Sequence, residues 1–244
     1  MRDPHLIRSP EGDRYWILGT DLHAEGGGSG GSGWDQYGAS QNIVVWESTD
    51  LVNWSEPQLV YAGLDEAGCV WAPEAIYDET TGDYVVYWSA RDKSKKDTEE
   101  NALRVYVCRT RDFHTFTEPK VWLSEDQDSG SEVNIIDSTI VEDNGKFYRF
   151  STSDWNTVVD VSDTLATEEV FDVRKDADKS TPNGDWKRLV KRSESGSAGF
   201  DRREGFTVYQ LPDGEWCLMG DNGGYKAFLT DDLSSGKYTA TDKA

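Results

Sequence analysis

The feature of the sequence that most constrains its fold is a fourfold repeat of a glycine, a charged residue and an aromatic-rich run. The repeat occurs as GDRYWILGT from Gly12, GDYVVYWSA from Gly82, GKFYRFSTS from Gly145 and GEWCLMGDN from Gly214. Each copy follows a short apolar segment, so each pair of runs predicts a β-hairpin around a polar turn. Regular recurrence indicates one architecture built from four similar modules.

A third strand-like run and a turn follow the hairpin in the clearest copies. These runs are IVVWESTDLVNWSEP from Ile43 and LRVYVCRTRDFHTFTEP from Leu103, which share an Asp, a bulky apolar residue, an aromatic residue and a closing Glu-Pro. Three or four antiparallel strands in each unit predict an all-β fold, a β-propeller with four blades visible in the chain. A sandwich with accidental internal similarity is the alternative.

Composition agrees with this class and limits the partners. Ten Trp, eleven Tyr, eight Phe and 23 Gly suit short strands joined by tight turns. Because 46 Asp and Glu outnumber 25 Lys and Arg, with a formal charge of −21, the chain lacks the basic face that a nucleic acid or an anionic membrane requires. We expect one domain over residues 1–244, with a flexible Gly/Ser loop at residues 25–34 inside the first repeat.

The cysteines and histidines form no metal or disulfide pattern in the sequence. Cys69, Cys108 and Cys217 are odd in number and far apart, so we expect each of them in a strand or in the core. The three histidines are equally scattered, which argues against a histidine-rich metal site.

Carboxylates recur at one place in the repeat. Aligning the four first strands on the residue that begins each apolar run selects Asp3, Ala72, Asp137 and Glu204. The first strand of each blade lines the channel of a propeller, so we expect the three carboxylates to converge near the axis. Their mutual repulsion would raise the pKa of at least one of them, which favours a functional site over the alternative that each acid caps a turn.

Such a cluster suits glycoside hydrolysis. One carboxylic acid protonates the leaving oxygen, and one carboxylate activates water or attacks the sugar. Calcium binding is the competing use of three acids, although the sequence lacks the spacing of an EF-hand.

Taken in order, RDPHLIR, STDLVNWSEP, VWAPEAIYDETTGDYVVYWSA, IDSTIVEDNGKFYRF and EGFTVYQLPDG resemble glycoside hydrolase family 43 over almost the whole chain. The resemblance implies a five-bladed β-propeller that acts on arabinose- and xylose-containing plant polysaccharides. It implies that Asp3 is the general base, Asp137 the residue that orients the acid and tunes its pKa, and Glu204 the general acid. Inversion at the anomeric carbon would place base and acid about 6.5–9.5 Å apart.

Three further residues are candidates for binding the substrate. By the same resemblance Trp71 would cover the apolar face of a sugar, with an ordinary buried tryptophan as the alternative. Trp155 follows a strand end in STSDWN, and Arg203 precedes Glu204, whose protonation it would oppose if it pointed the same way. The other tryptophans are expected to pack between blades, including Trp16, Trp46, Trp54, Trp88 and Trp216.

The implied function is an inverting, exo-acting glycoside hydrolase, with α-L-arabinofuranosidase as the leading activity and β-xylosidase or a galactan-directed activity behind it. The alternative is a carbohydrate-binding propeller without catalysis, or an inactive fragment of a larger glycosidase. No fifth repeat follows the fourth, so we expect either a piece of a longer polypeptide or a shortened four-bladed form.

The expected partner is a carbohydrate, bound by a monomer or by part of a larger multidomain chain, with no nucleic acid and no membrane. No cofactor is required by the chemistry, and a structural calcium ion on the propeller axis is compatible with the resemblance. Polymeric substrates favour an extracellular or cell-surface location, although the chain shows no signal peptide.

Overall fold

The computed structural model of the chain describes residues 1–22, 35–98, 100–126, 132–167, 171–172 and 186–241. The predicted Gly/Ser loop at residues 25–34 lies outside this set. The chain divides into two compact units, Met1–Val121 and Trp122–Ala244. In the part of the chain that the structure describes, no helix is long and apolar enough to cross a membrane.

The first unit contains two antiparallel sheets. The first sheet has the order β1-β2-β3-β4, and its strands are Arg2–Arg8, Tyr15–Thr20, Asn42–Ser48 and Gln58–Tyr61. The second sheet has the order β5-β6-β7 in this unit, and its strands are Trp71–Asp78, Asp83–Arg91 and Leu103–Thr110. A short 3-10 helix at Lys93–Lys95 lies between the last two strands.

The second unit contains two four-stranded antiparallel sheets. One has the order β10-β11-β12-β14, with strands Ile135–Asp143, Lys146–Ser153, Asn156–Ser162 and Lys187–Val190. The other has the order β15-β16-β17-β18, with strands Glu204–Gln210, Trp216–Asp221, Tyr225–Thr230 and Thr239–Thr241. Single helical turns occupy Arg192–Glu194, Ser195–Ala198 and Leu233–Ser235.

A smaller strand group completes the second unit. Strand β8, Lys120–Asp126, begins at the end of the first unit and continues into the second. It pairs antiparallel with β9, Glu132–Val133, and parallel with β13, Phe171–Asp172.

The predicted hairpins are confirmed, and the repeating glycine has a backbone cause. Each repeat glycine lies in the turn between the first and second strands of a sheet, with φ values of 77°, 69°, 75° and 95° at Gly12, Gly82, Gly145 and Gly214. Only glycine adopts positive φ without a steric cost. The turns after the third strands also match, because an aspartate oxygen of Asp50 or Asp112 accepts two backbone N–H groups.

Each unit has its own hydrophobic core between its two sheets. In the first unit Trp16 contacts Tyr84 and Phe113, with ring centroids 5.7 and 5.0 Å apart, and Trp88 is buried in the same cluster. Trp216 is buried in the core of the second unit, so packing between sheets is confirmed for these three tryptophans. Trp46 and Trp54 are half-buried and lie outside both clusters. All three cysteines are buried, as expected.

A buried ionic network holds the second unit together. Asp160 accepts hydrogen bonds from Arg149 and Arg188, and Arg188 also donates to Glu125 at 2.8 Å. The Arg149 guanidinium lies 4.7 and 4.3 Å from the ring centroids of Trp122 and Trp186. Two positive and two negative groups therefore neutralise one another, and the aromatic rings contact the more deeply buried cation.

We expect Asp160→Asn to destabilise the protein by about 3–5 kcal/mol, because it removes a carboxylate that compensates two buried guanidinium groups. The comparison is Asp163→Asn, since the Asp163 carboxylate pairs with Lys146 while its side chain is 64% exposed. An exposed pair of this kind contributes about 0–1 kcal/mol. Urea unfolding of both variants measures the difference, and equal losses would contradict a stabilising role of the buried network.

Candidate active site

Each first strand begins with the same break in its pairing to the second strand. The register shifts between Arg2 and His5, Trp71 and Glu74, Ile136 and Thr139, and Glu204 and Thr207. Just after the first residue of each break the backbone is left-handed, with φ of 51° at Asp3, 45° at Ala72, 51° at Asp137 and 61° at Gly205. Left-handed backbone costs an L-residue about 1–2 kcal/mol, so the surrounding fold must hold these bulges in place.

This register corrects the predicted alignment at its fourth position. Asp3, Ala72 and Asp137 are equivalent, as expected, but their counterpart in the fourth repeat is Gly205. Glu204 instead stands one residue earlier, at the position of Trp71 in the second repeat. The sequence concealed this shift because a glycine at the left-handed position has no side chain to align.

In the first unit, a threonine hydroxyl orients the Asp3 carboxylate. The Thr20 hydroxyl, at the end of β2, lies 2.8 Å from Asp3 Oδ2. The same hydroxyl lies 2.8 Å from the backbone N of Ala72, the equivalent bulge residue on β5. The Asp3 side chain is 39% exposed, so its carboxylate is both oriented and accessible to a ligand.

Trp71 directly precedes Ala72 and is half-buried. Its neighbour Glu74 lies beside His5, with Glu74 Oε2 3.5 Å from His5 Nδ1, and accepts a hydrogen bond from the buried Tyr87 hydroxyl at 3.3 Å. His5 Nε2 is also 3.1 Å from the carbonyl oxygen of Ala75. Asp3, Trp71, His5 and Glu74 are therefore brought to the adjoining strands β1 and β5 of the first unit.

In the second unit, Asp137 lies beside the segment that carries Glu204. Strand β10 packs against β15, and a Cβ atom at Gly205 would stand 3.9 Å from Asp137 Oδ2. Both carboxylate side chains are half-buried. Glu204 pairs in register with Asp221 on β16, and residues that face each other across antiparallel strands project from the same side of the sheet. Asp221 thus adds a third carboxylate to this neighbourhood.

Trp155 lies in a strained turn that contacts the residue before Glu204. Strands β11 and β12 are joined by the two residues Asp154 and Trp155, with φ of 45° and 68°. Positive φ at both positions is the type I′ hairpin turn, which normally uses Asn-Gly or Gly-Gly. A tryptophan in this conformation is an outlier, and its side chain is 41% exposed. Strain of this sort is concentrated at functional sites.

Arg203 connects the Trp155 turn to the neighbouring hairpin. Its backbone N–H donates to the Trp155 carbonyl at 3.2 Å, and its guanidinium donates to the Gly224 carbonyl at 2.7 Å and to Asp201 at 2.7 Å. Burial opposes ionisation of Asp201, but hydrogen bonds from Lys226 and Arg203 hold the pKa of Asp201 below its ordinary value. The guanidinium is thus engaged with the loop before Tyr225, which indicates a structural contribution beside the predicted contact with substrate.

The sequence reasoning missed several residues of these sites, among them Thr20, Asp221 and Tyr225. Thr20 gives no signal in the sequence, because its contacts to Asp3 and Ala72 form only when strands β2 and β5 meet. Tyr225 pairs in register with Asp221, so Glu204, Asp221 and Tyr225 form a row across three strands. Its side chain is 76% exposed on a loop fastened by Asp221 Oδ1 and Arg203. An aromatic residue directly after the Gly-Gly turn was the available clue.

Within the described ranges, no group of three or more His, Cys, Asp or Glu side chains is arranged to hold a metal ion. The structural calcium ion that the family resemblance allows stays a prediction.

The chain matches known proteins over its whole length. The model of a family described as a probable glycosyl hydrolase domain, related to glycoside hydrolase family 43, matches residues 1–244. An α-L-arabinofuranosidase of Bifidobacterium longum subsp. longum is 29% identical over 266 residues, which cover 98% of this chain and 24% of that protein. The chain thus spans about a quarter of the length of that curated relative.

Solved structures share the fold at low sequence identity. An exo-β-1,3-galactanase from Clostridium thermocellum superposes with a TM-score of 0.64 at 16% identity, covering 98% of this chain and 48% of that chain. A thermostable family-43 glycoside hydrolase gives 0.60 at 17% identity, with coverage of 99% and 72%. The α-L-arabinofuranosidase of Podospora anserina gives 0.57 at 15% identity, with coverage of 98% and 66%. This likeness shows an all-β fold with blade sheets of the family-43 type, four among the residues that the structure describes, while the fifth blade stays a prediction.

We expect Gly205→Ala to destabilise the protein by about 1 kcal/mol, because alanine pays the cost of the left-handed backbone at φ 61°. The added Cβ meets no atom closer than 3.9 Å, so a steric clash does not contribute. Gly196→Ala is the matched control, because that glycine lies in a helical turn with nothing within 4 Å of the added atom. Thermal unfolding compares the two, and an equal change in both would contradict the strained bulge.

Proposed function

Because the chain belongs to the family of probable glycosyl hydrolase domains related to glycoside hydrolase family 43, we propose that it is an inverting, exo-acting glycoside hydrolase. We propose arabinose as the sugar removed from plant polysaccharides or oligosaccharides. The observation that carries the proposal is the recurrence of a carboxylate at the left-handed bulge, in Asp3 and Asp137, together with Glu204 directly beside the fourth bulge.

The proposed reaction uses two carboxyl groups in opposite protonation states. Asp3 removes a proton from a water molecule as the water oxygen attacks the anomeric carbon. Glu204 donates its proton to the glycosidic oxygen as the bond between that oxygen and the anomeric carbon breaks. Afterwards Asp3 is protonated and Glu204 is ionised, and proton exchange with solvent restores the starting state. The product is the inverted sugar, because water enters opposite to the leaving group.

Glu204 has to be protonated when the substrate binds. Asp137 lies beside Gly205 and Asp221 faces Glu204 across the strand pair, and we propose that these two carboxylates favour the protonated form of Glu204. The Arg203 guanidinium is fastened to Asp201 and to the Gly224 carbonyl. Because its guanidinium is engaged in these bonds, Arg203 does less to favour the ionised form of Glu204.

Aromatic side chains support a carbohydrate as the ligand. Trp71 adjoins the bulge of the second repeat, and Trp155 is exposed on the turn that accepts the Arg203 N–H. An aromatic plane covers the apolar face of a sugar with little loss of conformational entropy. We propose Trp71 and Trp155 as sugar contacts, and Arg203 as a residue that supports the Trp155 turn.

Arabinose is favoured by the relative of highest sequence identity described above, an α-L-arabinofuranosidase. Galactan-directed and xylose-directed activities are the runners-up, since solved structures with this fold include exo-β-1,3-galactanases. A carbohydrate-binding propeller without catalysis is the second candidate function. The carboxyl side chains of Asp3 and Asp137 argue for catalysis, because Ala72 adopts the same left-handed backbone and the bulge itself therefore requires no acid.

We expect Asp3→Asn and Glu204→Gln each to lower kcat by about 10²–10⁴-fold on the nitrophenyl glycoside that the protein cleaves. The substrates to compare are nitrophenyl α-L-arabinofuranoside, β-xyloside and β-galactoside. Glu142→Gln is the matched control, because Glu142 is an exposed glutamate on strand β10. Its activity should equal that of the parent protein.

A change of leaving group distinguishes the role of the acid, Glu204, from that of the base, Asp3. A dinitrophenyl group departs without protonation, so the loss in Glu204→Gln should shrink on the dinitrophenyl glycoside, while the loss in Asp3→Asn should persist. Similar losses on both leaving groups would contradict the assignment of Glu204 as the acid. Binding of arabinotriose, xylotriose or galactotriose without turnover would favour the non-catalytic candidate.

A further inference from the structure

The Thr20 hydroxyl is the best-defined polar contact of the proposed base. Thr20 ends strand β2, and it is 1% exposed. Its Oγ1 atom is 2.8 Å from Asp3 Oδ2 and 2.8 Å from Ala72 N. All three residues belong to the first unit, so the contact is part of one compact core.

The chemistry of the three groups sets the direction of the two hydrogen bonds made by the Thr20 hydroxyl. The Ala72 backbone N–H can only donate, so Thr20 Oγ1 accepts that bond through a lone pair. A hydroxyl group has a single proton, and the remaining neighbour is a carboxylate oxygen, which accepts when ionised. The Thr20 proton is therefore directed at Asp3 Oδ2. The buried pair of Ser138 and Ser151 differs, because either hydroxyl there could be the donor.

Asp3 needs such a contact because strand pairing does not hold it. The ladder between β1 and β2 includes Arg2 opposite Thr20 and resumes only at His5, so Asp3 lies inside the register break. The Arg2 Nε atom is 3.9 Å from Asp3 Oδ1, too long for a hydrogen bond. One strong bond at Oδ2 fixes the rotation of the carboxylate, which leaves Oδ1 to receive a proton.

We propose that Thr20 is a positioning residue for the general base, holding Asp3 Oδ2 so that Oδ1 faces the attacking water. The inference rests on the proposed glycosidase function. The same hydroxyl accepts a hydrogen bond from the Ala72 N–H, next to Trp71. It therefore also sets the spacing between the proposed base, Asp3, and the proposed sugar contact, Trp71. A misplacement of about 1 Å can cost on the order of 100-fold in rate, which gives one buried hydroxyl a large effect.

The repeat supplies an internal comparison. Thr20, Ser89 and Thr152 occupy the same register position, opposite the residue that precedes each bulge, and all three are buried. In the third repeat the Thr152 hydroxyl has no hydrogen-bond partner among the described residues. Thr152 thus matches Thr20 in residue type, burial and register but does not contact the Asp137 carboxylate.

The test compares Thr20→Val, which keeps the shape but loses the hydroxyl, with Thr20→Ser, which keeps the hydroxyl. We expect Thr20→Val to lower kcat about 10–100-fold with KM within about twofold. Thr20→Ser should stay within about threefold of the parent, and Thr152→Val within about twofold. If Thr20→Val does not fold, Thr20→Cys replaces it, since a thiol is a weaker donor and should give an intermediate loss.

A double-mutant cycle shows whether Thr20 acts through Asp3. In the Asp3→Asn background Thr20→Val should cause no further loss of kcat, because the group that it positions has been replaced. Additive losses, or equal losses in Thr20→Val and Thr152→Val, would overturn the proposal.

A failure of the proposed glycosidase function would give a different result from a failure of the Thr20 proposal. If the parent protein hydrolyses none of the glycosides, the glycosidase assignment fails, and the melting temperatures of Thr20→Val, Asp3→Asn and the double variant still test the contact. Non-additive shifts in melting temperature would support the hydrogen bond between the two side chains, and additive shifts would overturn it.

Discussion

The left-handed bulge at the start of each first strand is the constraint on which the candidate sites depend. At this point the strand leaves its ladder for two residues, so the side chain there is not committed to a cross-strand pair. Aspartate tolerates left-handed backbone better than most residues, because its short polar side chain can hydrogen-bond locally. Asp3 and Asp137 use this freedom, each in its own unit, while Ala72 and Gly205 keep the backbone geometry without an acid.

Much of the fold could be predicted because its determinants are local. The hairpin glycines require positive φ, and the turns after the third strands require an aspartate that accepts backbone N–H groups, so both leave a mark in the sequence. The offset of Glu204 from the bulge could not be predicted, because the alignment counted side chains and Gly205 has none. Thr20 was also hidden, since its two partners are 17 and 52 residues away.

The acidic composition does not extend into the charged core of the second unit. Arg149 and Arg188 are nearly fully buried, and they face Asp160 and Glu125 with balanced charge. Strands β11 and β12 are buried along most of their length, so an alternating pattern that assigned Arg149 to solvent would be wrong. Burial of such a network costs desolvation energy, and its hydrogen bonds link three strands of the sheet from which the Trp155 turn extends.

In the proposed function, substrate choice depends on the loops of the second unit that carry Trp155 and lead to Tyr225. The relatives and structural neighbours include arabinofuranosidases and galactanases on one fold, so the fold alone does not distinguish the sugars. Trp155 stands on a two-residue turn and Tyr225 follows a three-residue loop, and Arg203 fastens both. A change in either loop would alter the aromatic surface while the backbone of Glu204 stayed in its strand pair. In the proposed function, the acid Glu204 and the aromatic residues Trp155 and Tyr225 thus occupy separate parts of the second unit, and Arg203 links them.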